Sequence, residues 1–350
     1  TDAATRAADV YCNNNLPEAF NVWAKYNNAT YIDGDLIEKD GTAWINKTGV
    51  RYWPQEGDVT FYAQVNAGAA FQWNDGTPTI KDYTVDTDVT KQNDLLYAVK
   101  SQERSDNPVT LNFRHALSQI VFQAKNTNAN LYVEIKGVTI CKLGNKNTFL
   151  YFSADTDDNI VNHDGITDEI NYDDSWGFWT RLVGGDTDYP VTFNPVSVPG
   201  DGVVKSLTNT NDTDKEFSSK AMLLLPQTTT AWAPAIGNAE PGAATQTGTY
   251  FLVNCKIYNV TYPDKGYQPG YEADLLLHEG PAAIPVAFDW KEGKKYTYTF
   301  VFGDGNGGYI PVPPGPNPEP VLTPITFDVT VDDFVAVENE DYEYDMTTKN

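Results

Sequence analysis

The sequence predicts an all-β protein, two tandem antiparallel β-sandwich domains. Three observations carry that expectation. Short apolar segments with a two-residue period recur along the chain, turn residues bound each of them, and no stretch beyond about two turns keeps a 3.6-residue period. Composition agrees: 21 Tyr, 16 Phe and 8 Trp stand beside 2 Met, a usage weighted towards strand formers. A length of 350 residues is long for one core, so two domains are expected.

In the first half the clearest segments are 59–65, 94–99, 109–113, 119–125, 131–140 and 148–152. Along 131–140 the alternation of Leu131, Val133 and Ile135 changes phase at Gly137, which predicts a bulge or a sharp bend. The acidic stretch 155–174 is expected to divide a first sandwich, 1–154, from a second, 155–310. Strands of the second are expected at 191–193, 221–225, 249–260, 272–277 and 295–302. The last of these places Tyr296, Tyr298, Phe300 and Phe302 on one face.

A Pro-rich tether follows at 311–324. At ~3.1 Å per residue, a polyproline-like run of this length crosses a small domain. Beyond it lies one isolated alternating strand carrying Ile325, Phe327, Val329 and Val331, then an acidic tail within 325–350. With no hairpin partner beside it, this strand must pair with a distant edge of its own domain or with another molecule. The expectation is another molecule.

Charge narrows the function classes. The 24 basic residues face 48 acidic ones, a net −24, which argues against binding a phosphate backbone. It suits a secreted or surface protein kept soluble by self-repulsion. No apolar run approaches the ~18 residues of a membrane span. The chain opens at Thr1 without an initiator Met and reads as the mature or trimmed product of a longer precursor. Cys12, Cys141 and Cys255 are distant and odd in number, without metal spacing; they read as buried small apolar residues or as one disulfide plus a free thiol.

Catalytic residues are not predicted. His115, His163 and His278 have no G-x-S-x-G partner and read as structural or surface residues. Asp155, Asp157, Asp158 and Asn159, with Asp164 through Asp174, offer hard oxygen ligands but lack the EF-hand order. They read as a solvated loop, with weak calcium binding as the alternative. A glycosidase would need two carboxylates across an aromatic cleft, and nothing in the sequence pairs particular acids. Trp176 and Trp179 could stack on a sugar or plug the domain junction.

Several segments resemble the fimbrillin-like proteins of Bacteroidales, subunits of pili assembled by donor-strand exchange. They are Thr5-Arg6-Ala7, Tyr52-Trp53-Pro54 before Val59-Thr-Phe61, and Asp94-Leu-Leu-Tyr97 before Phe113-Arg-His115-Ala. In the second half Met222-Leu-Leu-Leu-Pro226 and Gly293-Lys-Lys-Tyr296 lead to the Ile325 strand. The resemblance implies transthyretin-like sandwiches and export as a lipoprotein to the outer membrane. It also implies arginine-specific cleavage near the N-terminus, which removes a strand and opens a groove for the next subunit's terminal strand.

On that resemblance Arg6 is the cut site, although it reads equally as a surface arginine. Ile325, Phe327, Val329 and Val331 are the donor residues. Partners would be other pilin subunits and a host protein or glycan, with no cofactor, no metal and no nucleic acid, and with membrane contact only through a lipidated precursor segment outside this chain. The long acidic tail leaves accessory, anchor and tip positions open. The alternatives are a tip adhesin or glycan-binding module and a secreted glycoside hydrolase.

Overall fold

The computed structural model describes residues 10–12, 15–74, 77–151, 177–208, 221–232, 248–262, 265–303, 309, 321, 325–333 and 342–344; for 77, 325–328, 330–333 and 342–344 it describes the backbone alone. Arg6, the acidic loop 155–174 with His163, Trp176 and most of the tether lie outside these residues.

The strands begin with β1 (Ala19–Tyr26), β2 (Ala29–Asp40), β3 (Ala43–Asn46) and β4 (Val59–Val65). Next come β5 (Phe71–Asn74), β6 (Thr77–Thr84), β7 (Leu96–Gln102) and β8 (Arg114–His115). The chain continues through β9 (Ser118–Asn126), β10 (Leu131–Leu143), β11 (Lys146–Tyr151) and β12 (Gly177–Trp179). Then follow β13 (Thr187–Pro199), β14 (Lys205–Ser206), β15 (Met222–Leu224) and β16 (Tyr250–Asn259). β17 (Leu275–Pro285), β18 (Lys294–Phe302), β19 (Ile325–Asp333) and β20 (Tyr342–Tyr344) complete the described strands.

These strands form four sheets. In the first sandwich, β3-β2-β1-β4-β7-β8 faces β12-β11-β6-β5. Tyr97 of β7 packs on Phe149 of β11 at 4.6 Å between ring centroids, and the Tyr151 hydroxyl donates to the Ala63 carbonyl at 3.0 Å. In the second sandwich, β13-β10-β16-β17 faces β14-β9-β18-β19-β20, with β15 also on β9. Phe122 of β9 meets Phe251 of β16 edge-on at 5.8 Å.

The expected division at 154/155 does not match the strand pairing. β9 and β10, both before residue 154, pair with β18 and β16 of the second sandwich, whereas β11 and β12 return to the first beside β6. A strand's period fixes which face is apolar but not which strand lies beside it, so the interleaving leaves no local trace. One core runs through both sandwiches, from Tyr62 and Phe149 to Phe251 and Phe300. The Tyr189 hydroxyl donates to the Val85 carbonyl at 3.3 Å, and the Leu223 N–H donates to Gln92 Oε1 at 2.8 Å, tying the second sandwich to the 85–95 coil.

The phase change at Gly137 is a bulge. Both neighbours of β10, β13 and β16, slip register between Ile135 and Gly137. A Cβ at Gly137 would stand 3.0 Å from the Val191 carbonyl oxygen, closer than ordinary contact. The bulge keeps Leu131, Val133 and Ile135 buried before it and Val138 and Ile140 buried after it.

The six-stranded sheet is apolar on both faces. In β4, Tyr62 points to the shared core, while Val59, Ala63 and Val65 point the other way into a second cluster with Val22, Ala24 and Leu96. Tyr11, Trp53, Leu111 and Phe113, from coil rather than from a facing sheet, pack on that second cluster. The segment 109–113, expected as a strand, is therefore cover: Phe113 rests on Phe20 at 5.0 Å, and ladder pairing starts only at Arg114.

Candidate assembly interface

β18 carries the row of four aromatics that the sequence placed on one face. Tyr296, Tyr298, Phe300 and Phe302 are all buried. Phe300 stacks on Phe122 at 5.8 Å and meets Phe251 edge-on at 5.3 Å, and Trp290 Nε1 donates to the Tyr298 hydroxyl at 2.8 Å. Burial raises the Tyr298 phenol well above its ordinary range.

β19 lies antiparallel along β18 in an unbroken nine-residue register, from Phe302 opposite Ile325 to Lys294 opposite Asp333. Phe300 faces Phe327, Tyr298 faces Val329 and Tyr296 faces Val331. The predicted alternating positions therefore line up with the aromatic row, and Val329 is buried in the common core. The expectation of pairing outside the molecule differs from what the single chain does: the strand docks in cis, because β18 offers an edge with matching period directly before it. Among the described residues β20 covers β19 from Val329 to Val331.

Two described residues pin the segment between β18 and β19. Val321 is buried in the common core. Tyr309 bridges the outer edge of β17, exchanging both main-chain hydrogen bonds with Ala283 at 2.7 and 2.8 Å. Its ring packs on Trp232, beside Cys141, Tyr250 and Ala283. Pro281 and Pro285 flank Ala283 at the next outward-facing positions and carry no N–H to donate, so the ladder has no donor there with which to extend.

At the other end of the chain, Val10 packs on the shared core and Tyr11 on the second cluster. The Tyr11 N–H donates to Asp94 Oδ2 at 3.0 Å, and Asp94 Oδ1 sits 2.9 Å from His115 Nδ1. Asn66 Nδ2 donates to the Asp94 carbonyl at 2.8 Å. Beside this anchor β7 pairs along its length with β4 but with β8 only at Leu96 and Tyr97. Among the described residues the outer edge from Ala98 to Gln102 has no ladder partner.

Trp179 is a core residue. It is 9% exposed, its Nε1 donates to the Ala116 carbonyl at 2.5 Å, and Phe149 packs against it at 5.2 Å. An indole held this way presents no open face for a sugar; Trp176 lies outside the described residues. All three cysteines are free, with Cys141 and Cys255 buried and Cys12 exposed. Burial pushes both buried thiols up to about 12.

Exposed aromatics appear where the sequence did not point. Tyr262 and Tyr271 lie 6.0 Å apart on the loop between β16 and β17, 46% and 44% exposed. Buried Asp274 shapes that loop by accepting the N–H groups of Thr261 and Gln268 at 2.9 and 3.1 Å. No group of three or more His, Cys, Asp or Glu among the described residues is placed to hold a metal.

A chain of paired sandwiches with a terminal strand laid on the last core strand defines the class: an all-β protein whose distinguishing surface is made of strand edges. The fimbrillin-like family model matches residues 5–333, and the chain belongs to that family. A fimbrial protein of Bacteroides vulgatus is similar in fold, with a TM-score of 0.54 at 14% identity over 90% of this chain and 93% of that one. A candidate cell adhesion protein of Bacteroides uniformis aligns at 14% identity over 95% of both chains, with a TM-score of 0.38. Another from Parabacteroides distasonis aligns at 11% identity over 93% of this chain and 94% of that one, with a TM-score of 0.42. No curated protein matches the chain.

Proposed function

We propose that the chain is a structural subunit of a cell-surface fimbria on the outer membrane, assembled by donor-strand exchange and contributing to adhesion. The observation that carries this reading is the position of β19. It is a nine-residue strand matched to the core period, it lies beyond a long connection, and among the described residues a three-residue strand flanks its outer edge. Cut at Arg6, a neighbour would offer the uncovered edge of its β7 as the acceptor, and Ile325, Phe327, Val329 and Val331 would supply its apolar groups.

Four such groups at ~1.5–3 kcal/mol each contribute roughly 6–12 kcal/mol before ordering. Backbone ordering costs about 1–2 kcal/mol per residue. A β19 already ordered in cis has met that cost, so moving to a neighbour exchanges like for like, as in domain swapping. Direction would then come from the cleavage itself, a hydrolysis that the acceptor undergoes once and does not reverse.

Membership of the fimbrillin-like family supports a structural rather than an enzymatic role. Among the described residues the buried carboxylates Asp35, Asp94 and Asp274 each hold separate structural partners, Arg51, His115 and loop amides, and do not face one another across a cleft. An adhesive role at a fimbrial tip is the second reading, favoured by the exposed Tyr262 and Tyr271.

The test is assembly after arginine-specific cleavage. Phe327→Asp places a charge in the apolar row and is expected to abolish polymer on size-exclusion chromatography. Polymerisation of this variant at the wild-type rate and extent would overturn the donor assignment.

A further inference from the structure

The segment entering β1 is held by a side-chain couple that no sheet hydrogen bond requires. Asp94 is fully buried, and its two oxygens face different elements: Oδ1 faces His115 Nδ1 on β8, and Oδ2 accepts the Tyr11 N–H. Asn66 fixes the Asp94 backbone from a third direction. Val10 and Tyr11 divide between the two apolar clusters, so this short segment straps the end of the six-stranded sheet. A reciprocal pair of main-chain bonds between Cys12 and Asn15, at 3.0 and 2.9 Å, turns the chain immediately after the strap.

A buried carboxylate needs its acceptor sites filled, because unpaired burial is costly. Here one of those partners is a backbone amide at the very start of the described chain. Lifting the segment would strand Asp94 Oδ2 and bare apolar surface on both clusters at once. The segment should therefore behave as part of the fold and not as a loose lead-in.

We propose that the Asp94–His115 couple is a latch that retains the chain from Tyr11 onward, so that strand removal at the N-terminus stops upstream of Val10 and never strips the strap itself. The role in processing rests on the fimbrial reading given above; the latch does not, and it is measured on the monomer. In an assembled subunit it would set the downstream limit of the acceptor groove, leaving His115 and the start of β7 covered while the edge beyond β8 is exchanged.

Hydrogen exchange and limited proteolysis of the purified monomer, before and after arginine-specific cleavage, test this. In wild type the Tyr11 amide stays protected after the cut. In Asp94→Ala it is expected to exchange about tenfold faster, the scale of one lost hydrogen bond. Tyr11→Pro deletes the donor without touching the couple, and is expected to make the chain around Val10–Cys12 cleavable while the β9 and β18 amides keep their protection. Tyr11→Ala, which keeps the N–H, should remain more resistant than Tyr11→Pro. If Tyr11→Pro resists proteolysis as wild type does, or if the wild-type Tyr11 amide loses protection on cleavage, the latch is wrong. Those outcomes are independent of whether polymer forms, which is the measure of the fimbrial reading.

Discussion

Asp94 and His115, 21 positions apart, meet in the interior with Oδ1 2.9 Å from Nδ1. Each sits in one of the short segments that carry the family resemblance, Asp94-Leu-Leu-Tyr97 and Phe113-Arg-His115-Ala. Their side chains are 0% and 6% exposed. Asp94→Ala would take the carboxylate away from the buried imidazole, and removing one partner of a buried hydrogen bond costs about 1–3 kcal/mol. Urea unfolding should show that loss, with Asp94→Asn, which keeps one acceptor oxygen, losing less.

Gly137→Ala is expected to destabilise the second sandwich by roughly 1–3 kcal/mol, the range for overpacking. The added methyl would press on the Val191 carbonyl oxygen. A denaturant midpoint shift without a change in slope would show that the bulge is strained and the fold retained.

Asp35 predicts an acid dependence. Its buried carboxylate accepts Arg51 Nε and Nη2, each at 2.7 Å, and Asn46 Nδ2 at 2.7 Å. The Arg51 hydrogen bond, ahead of the opposing burial, holds the carboxyl below its ordinary value of 3.8. A carboxyl lowered in the folded state adds stability above its unfolded value, and that stability fades as pH falls through the folded one. Arg51→Met should therefore be less stable than wild type at neutral pH. The gap should close below the usual carboxylate range, as followed by thermal melts across pH.

Thiol labelling separates the cysteines. The thiolate is the reactive form, and Cys141 and Cys255 are buried with thiols pushed up to about 12. At pH 8 the folded chain should take one equivalent of a maleimide, at Cys12, and three only after unfolding. Fast labelling of Cys255 in the native state would contradict its place in the core.

Tyr309→Ala should release the clip on β17. The Ala283 amide, bonded to the Tyr309 carbonyl at 2.7 Å, should then exchange faster, and Trp232 emission should shift as it loses the Tyr309 ring while keeping that of Tyr250. A cost of about 0.5–3 kcal/mol is expected, the range for single substitutions.

What the sequence made legible was local. The aromatic row on β18 and the phase change at Gly137 both follow from a two-residue period, and both are where that period put them. The period in 325–331 likewise marked β19 as a strand matched to a core. Partner choice was not legible. β9 lies parallel to β18 across half of the chain, and a residue's alternation is the same whichever strand sits beside it. The 109–113 segment alternates like a strand yet serves as cover, because Leu111 and Phe113 cap an apolar face. Tyr11, Asp94 and His115 left no spacing signal, since they come from the N-terminal segment, the coil before β7 and β8.

The parallel pairing of β9 with β18 also sets an order of events. Gln123 Nε2 reaches Thr299 Oγ1 at 2.8 Å across 176 positions of sequence. Contacts that distant form slowly, since a long loop must close before they return any free energy. The second sandwich therefore lacks its central seam until β18 is available, whereas the strands of the first sandwich are all in hand once Trp179 has been made, so the first sandwich can close while the second still waits.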